Sequence, residues 1–123
     1  MRYDQLDVYK LAFELALDIH KVTLEPHIPK FEQYGGLCDQ LRRASKSICA
    51  NIAEGLSKHG SVLEERRFLG IALGSCEEVQ VWLSFGLRLN YCTANQFAEW
   101  QAGYQSTAKM LQTLMKKRED KAA

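Results

Sequence analysis

From Leu37 onward apolar side chains return every three or four positions, at Leu37, Leu41, Ala44, Ile48, Ile52 and Leu56. That spacing admits a helix with one continuous stripe turned to a core. A half-buried strand needs alternation instead, and no run of alternating polar and apolar residues bounded by hairpin turns occurs in the 123 residues. The helical period recurs in three more segments. Near Asp4 a first helix opens over about residues 5–25, with Leu6, Tyr9, Phe13, Ala16 and Ile19 or Val22 in step until Pro26 and Pro29 end it. In the loop that follows, Phe31 and Tyr34 are expected to pack over the bundle end, and Gly35-Gly36 to make the turn. The second helix covers about 37–57, with Gly55 and Gly60 bracketing its end. Ser61 with Glu64 forms a capping box that starts a third helix over about 61–90. Thr93 with Gln96 starts a fourth over about 93–118, which Phe97, Trp100, Tyr104, Ala108, Leu111 and Met115 carry into a charged tail expected to fray.

Four such segments, with short links between the second and third and between the third and fourth, predict an all-α fold, an antiparallel up-down four-helix bundle in a single domain. The third helix has more apolar surface than one bundle core absorbs. Phe68, Ala72, Val79 and Leu83 form one line on it, and Ile71, Trp82, Phe85 and Leu89 form another. Gly70 and Gly74, with Ser75 beside them, cost up to about 1 kcal/mol each in a helix relative to alanine. A close helix approach at a bare backbone strip would offset that cost. The strip and the second apolar line both point to a tightly packed or intersubunit surface.

Beside the apolar stripe of the second helix runs a polar one, Gln40, Arg43, Ser47, Asn51 and Glu54. The two are offset by one residue, about 100° around the axis, so the polar groups border the buried face. They are expected to be half-buried and to form an inter-helix network that fixes register. Glu54 needs a counter-charge from another helix, another subunit or solvent, with Arg66 and Arg67 as the candidates.

The net charge of +1 excludes a strongly basic clamp but conceals an uneven distribution. Residues 36–59 hold four Lys or Arg against two Asp or Glu, and residues 91–123 hold five against three, whereas residues 1–35 hold four against six. Arg42, Arg43 and Lys46, helped by Lys58 and His59, are the best candidates to meet phosphate oxygens of RNA or DNA. Arg66, Arg67, Lys116, Lys117 and Arg118 stand behind them. Charge of this kind holds a nucleic-acid backbone without reading its sequence.

Catalysis finds little to work with. Neither Glu-x-x-His nor a paired Glu-x-x-Glu motif occurs, so a divalent metal between helices would lack ligands. Cys38, Cys49, Cys76 and Cys92 show neither a Cys-x-x-Cys pair nor metal-ligand spacing with His20, His27 or His59. Free thiols, no metal, no cofactor and no enzyme activity are the expectation. The charged first residues and the lack of a long apolar run predict a cytoplasmic protein that does not meet a membrane.

The run GLCDQLRRASKSICANIAEG at 36–55, followed by FLGIALGSCEEV at 68–79, resembles the four-helix-bundle family named for proteins encoded in 23S ribosomal RNA intervening sequences. The opening LDVYKLAFELALDIHKVT is similar to that family's first helix, and the resemblance covers roughly residues 6–90. It implies an up-down bundle assembled as a ring-shaped homopentamer, with a basic surface for nucleic acid. A related branch is the accessory variability determinant of diversity-generating retroelements, a pentameric partner of a reverse transcriptase. The matching positions are Gln40, Arg42, Arg43, Ser47, Asn51, Glu54, Gly55, Gly74, Ser75 and Glu77. Most of these are expected to be structural or interfacial, with Gly70 alongside them.

Overall fold

The computed structural model describes residues 2–57 and 61–122, with side chains described as far as Arg118. Lys58 and His59, two of the expected phosphate ligands, and Gly60 lie outside the described residues. Four helices make the fold: α1 (Asp7–Val22), α2 (Leu37–Ser57), α3 (Val62–Arg88) and α4 (Ala94–Ala122). No strand occurs among the described residues. α1 starts later than the sequence suggests, because Tyr3–Gln5 form a separate 3-10 turn and Leu6 is extended. α4 continues past 118, its last turns made mostly of Lys, Arg, Glu and Ala, which are good helix formers, with Asp120 the one poorer residue among them.

Each helix packs on its two chain neighbours, with α1 closing the circle against α4, and among the described residues the backbones of the diagonal pairs stay apart. Adjacent helices run antiparallel. Arg42 near the start of α2 reaches Thr23 just past the end of α1. Gly55 near the end of α2 meets Phe68 early in α3, Arg118 late in α4 reaches Glu65 early in α3, and Trp100 early in α4 bonds Asp18 late in α1. α1 and α3 are therefore parallel to each other.

The caps explain why the helices begin and end where they do. Ser61 Oγ accepts the Glu64 amide at 3.1 Å at the start of α3. At α4 both halves of a capping box form, Gln96 N to Thr93 Oγ1 at 3.0 Å and Thr93 N to Gln96 Oε1 at 2.9 Å. Asn90 stops α3 with a left-handed φ of 61°, and Tyr91 N closes back on Gly86 O at 2.8 Å. Between α1 and α2, Gln33 donates to the Thr23 carbonyl at 2.7 Å and Tyr91 donates to Glu32 at 2.8 Å, so the connection is tied to the bundle by polar contacts. Contrary to the expectation from sequence, Phe31 and Tyr34 do not pack over the end: they are 73% and 88% exposed.

The core runs through Val8, Ala12 and Ile19 of α1, Leu41, Ile48 and Ile52 of α2, Leu69, Cys76, Val79 and Leu83 of α3, and Trp100, Tyr104 and Leu111 of α4. In α1 the expected line holds at Ala16 and Ile19, but its first half is shifted by one residue. Val8 and Ala12 point inward, while Tyr9 is half-buried and Phe13 is 43% exposed. The small Ala12 and Ala16 on the inner side let α1 sit close to its neighbours, which leaves the bulky ring outside.

Candidate interaction surfaces

The basic residues of α2 divide into one built into the fold and two at its surface. Arg42 donates from Nε to Thr23 Oγ1 at 2.8 Å, from Nη2 to the Thr23 carbonyl at 3.2 Å, and from the same nitrogen to Gln33 Oε1. Its guanidinium thus ties the end of α1 and the following loop to α2, a bracing role that the sequence reading did not assign. Arg43, with a 75% exposed side chain, donates to both carboxylate oxygens of Asp39 at 3.2 Å. That bond holds the Asp39 carboxyl below its ordinary range. Lys46 is exposed and bonds Nδ1 of His20 at 3.0 Å. Burial foremost, then the charges of Lys46 and Arg42, lowers the His20 pKa and favours the neutral ring. Arg43 and Lys46 stand three apart and so share one outer edge of α2.

The remaining cations are scattered. Arg67 pairs with Glu64 at 3.7 Å and lies over the Phe68 ring, so it is not tied to Glu54 as a sole counter-charge. Arg66 and Glu54 are both half-buried where α2 and α3 meet. Arg118 pairs with Glu65 at 3.4 Å. Lys116 and Lys117 are exposed on α4, and Lys117 borders, with Lys109 and Asp7, a shallow α1–α4 groove of about 400 Å³. The structure therefore brings Arg43 and Lys46 together but does not gather all the expected cations into one patch.

The polar stripe does link helices. Ser47 Oγ meets Ser75 Oγ at 2.9 Å across α2 and α3, and Asn51 Nδ2 donates to the Ser47 carbonyl at 2.8 Å and to its hydroxyl at 3.1 Å. Gln40 is half-buried and Glu77 exposed. Gly55 is packed so closely that a Cβ there would stand 3.0 Å from Phe68 Cβ. Gly70 and Gly74 differ from it. Only Met115 Cε, at 3.9 Å, would come near a Cβ at Gly70, and nothing lies within 4 Å of one at Gly74. The close approach expected at this strip does not occur within the chain.

Two apolar surfaces face outward. One lies along the outside of α3, where Leu63, Ile71, Val81 and Phe85 are 76%, 42%, 53% and 54% exposed; of the second line expected from sequence, Ile71, Phe85 and Leu89 face outward but Trp82 packs partly against the core. The other, which the sequence reading missed, is a groove of about 490 Å³ between α1 and α2. Tyr9, Phe13, Leu17, Cys49, Ala50 and Ala53 line it, and His20 and Lys46 close one end. The spacing of Tyr9, Phe13 and Leu17 at every fourth residue carried that signal, but it reads equally well as a core line.

Reactive groups are few. Burial raises the Cys49 pKa to about 11 and the Cys76 pKa to about 12, so neither is a thiolate at neutral pH. Among the described residues no cluster of His, Cys, Asp and Glu could hold a metal, and no helix is long and apolar enough to cross a membrane.

Fold and surfaces together define an all-α four-helix bundle with apolar side chains and basic groups turned outward. The chain belongs to the 23S rRNA-intervening sequence protein family, whose model matches residues 4–113 and so includes most of α4 as well. Its fold is similar to that of a solved protein of unknown function from the S23 ribosomal protein family of Bacteroides thetaiotaomicron. The two are 24% identical with a TM-score of 0.76, over 89% of this chain and 98% of that one. No curated protein matches the sequence.

Proposed function

We propose that this chain is a non-catalytic, self-assembling bundle that works in the cytoplasm as a homo-oligomeric ring and holds RNA or DNA by its phosphates. The observation that carries the reading is the apolar line along the outside of α3, opposite a face already saturated by the core. An isolated bundle leaves that line in water, and assembly removes it. Five copies is the number that the family resemblance implies. The family's description ties it to ribosomal RNA. On this chain the exposed Arg43, Lys46, Lys116 and Lys117 are the groups available to phosphate, and a surface pair such as Arg43 with Asp39 exchanges partners at little cost. Repetition around a ring turns a weak patch into avid binding.

A second reading is a protein adaptor, such as a reverse-transcriptase partner, favoured by the fact that Arg43, Lys46, Arg67 and Arg118 already have intrachain partners. Light scattering of the purified protein with short RNA and DNA, across a salt series, separates the two. The nucleic-acid reading expects a pentamer-sized particle that gains nucleic acid at low salt and loses it steeply as salt rises. A particle that ignores nucleic acid at every salt leaves the adaptor, and a monomer that ignores both sinks the proposal.

A further inference from the structure

The two outward apolar surfaces are unlike each other, and several features match them as the two halves of one joint. At 100° per residue, Leu63, Ile71, Gly74, Glu78, Val81 and Phe85 fall within roughly 80° of arc on α3, centred about 180° from the line of Leu69, Cys76 and Leu83. The same arc, a stripe along the helix, holds Arg67 between Leu63 and Ile71, and at Gly74 the helix backbone is bare, with no other described part of the chain within 4 Å of a Cβ there. A mid-helix glycine costs up to about 1 kcal/mol relative to alanine, and nothing inside this bundle uses the space. A side chain from outside can. The α1–α2 surface is concave, and Phe13 and Leu17, 43% and 40% exposed, project from its α1 wall.

Charge matches too. The groove ends in Lys46 and His20, and the stripe carries Glu78, exposed, with Glu77 beside it. Glu78 spends Oε1 on the Trp82 indole at 3.1 Å and keeps its other oxygen for a partner. The heights along the bundle agree as well. Ser47 touches Ser75, which places Gly74 and Glu78 level with the stretch of α2 around residues 44–48. Across the groove the same stretch faces Leu17 and His20. α1 and α3 run parallel, so the groove of one upright copy meets the stripe of the next with the order of groups preserved. A head-to-tail joint between equal heights has no rise per copy, so it closes into a ring when the turn between the two faces divides a full circle.

We infer that the α1–α2 groove of one copy receives the outer stripe of α3 of the next, with Phe13 and Leu17 seated on Ile71 and bare Gly74 and with Lys46 facing Glu78. This pairing rests on the self-assembly reading and specifies its interface. Each copy thus uses two different faces, and two half-blocked variants can complement each other.

The test is light scattering of wild-type protein, Gly74→Trp, Phe13→Glu and an equimolar mixture of the two variants. Both variants sit at open positions, and circular dichroism confirms that each keeps its helices; Leu17→Glu replaces Phe13→Glu should helicity fall. Each variant alone is expected to lose the assembly at concentrations where wild type is fully assembled. The mixture is expected to form dimers, because the intact groove of Gly74→Trp accepts the intact stripe of Phe13→Glu. Lys46→Glu and Glu78→Lys should each weaken assembly, and the double exchange should restore it. Wild-type protein that stays monomeric overturns the self-assembly reading and this pairing with it. An assembly that survives both blocking variants, or monomeric variants that fail to complement, overturns the pairing alone.

Discussion

Two glycines, one at the α2–α3 seam and one on the outside of α3, separate the part of this protein that holds the fold from the part left open to solvent. At Gly55 the neighbouring helix is so near that a methyl group would stand 3.0 Å from Phe68 Cβ, whereas at Gly74 it would meet nothing within 4 Å. The contrast extends along the whole of α3. Its inner line, Leu69, Ala72, Cys76 and Val79, is fully buried, while Leu63, Ile71, Val81 and Phe85 on the outer line remain in water. Apolar character alone does not identify the core of this helix; the partner across the contact does.

The sharpest way to break that comparison is to cut one side chain from each line. Leu69→Ala removes a fully buried side chain and should cost about 3 kcal/mol, whereas Ile71→Ala, at a position 42% exposed, should cost less than about 1 kcal/mol. Urea denaturation at protein concentrations low enough to dissociate any assembly reads both. Equal losses would mean that the outer line is covered within the single chain.

The glycines give a smaller effect but one of opposite sign. Gly55→Ala should destabilise by about 1 to 2 kcal/mol, because Phe68 Cβ belongs to a packed helix and the overlap exceeds the gain of roughly 1 kcal/mol in helix propensity. Gly74→Ala should stabilise the dissociated chain by up to about 1 kcal/mol. A loss at Gly74 in that assay would show an intrachain role for the bare backbone.

How far the sequence reveals this division differs by element. The limits of α2, the capping boxes at Ser61 and Thr93 and the double-faced character of α3 are local signals within a few residues, and the structure shows each at its place. The bracing role of Arg42 is not local: its partner Thr23 is 19 residues away, on another element. Trp100 and its Asp18 acceptor are separated by 82 residues, and Gly103 is notable only because Leu15 of α1 lies against it. In α1 the lines through Val8 and Tyr9 are one residue apart and both apolar, and the periodicity does not choose between them. What chose was steric: alanines at 12 and 16 allow close approach, and Phe13 does not.

Within the core one group contradicts its surroundings and offers the next test. The Tyr104 hydroxyl is fully buried with no hydrogen-bond partner among the described residues. Burial accordingly pushes its pKa upward. An unsatisfied buried hydroxyl costs on the order of 1 kcal/mol or more, so Tyr104→Phe should raise stability by about 1 kcal/mol. A thermal melt that falls instead would show that an internal water or an unseen partner satisfies the hydroxyl.

The outer surface, in contrast to the core, should respond to mild acid. His20 has its pKa lowered from 6.5, by burial and then by Lys46 and Arg42, so the folded chain resists the proton more than the unfolded chain does. Stability is therefore complete above pH 6.5 and declines as the pH falls through the depressed folded value, because the unfolded state binds the proton first. Asp39 is depressed from 3.8 by its bond to Arg43, so its share is complete above pH 3.8 and is lost at lower pH. The two windows open at different pH, the His20 one below 6.5 and the Asp39 one below 3.8. His20→Gln should flatten the decline that begins below pH 6.5 and leave the lower one, and Asp39→Asn should do the reverse, in denaturation curves taken from pH 7 to pH 3. Because Lys46 donates to the neutral ring at 3.0 Å, protonating His20 also places two cations at the end of the groove. A His20→Gln variant whose acid profile matches wild type would show that this end of the groove does not sense pH.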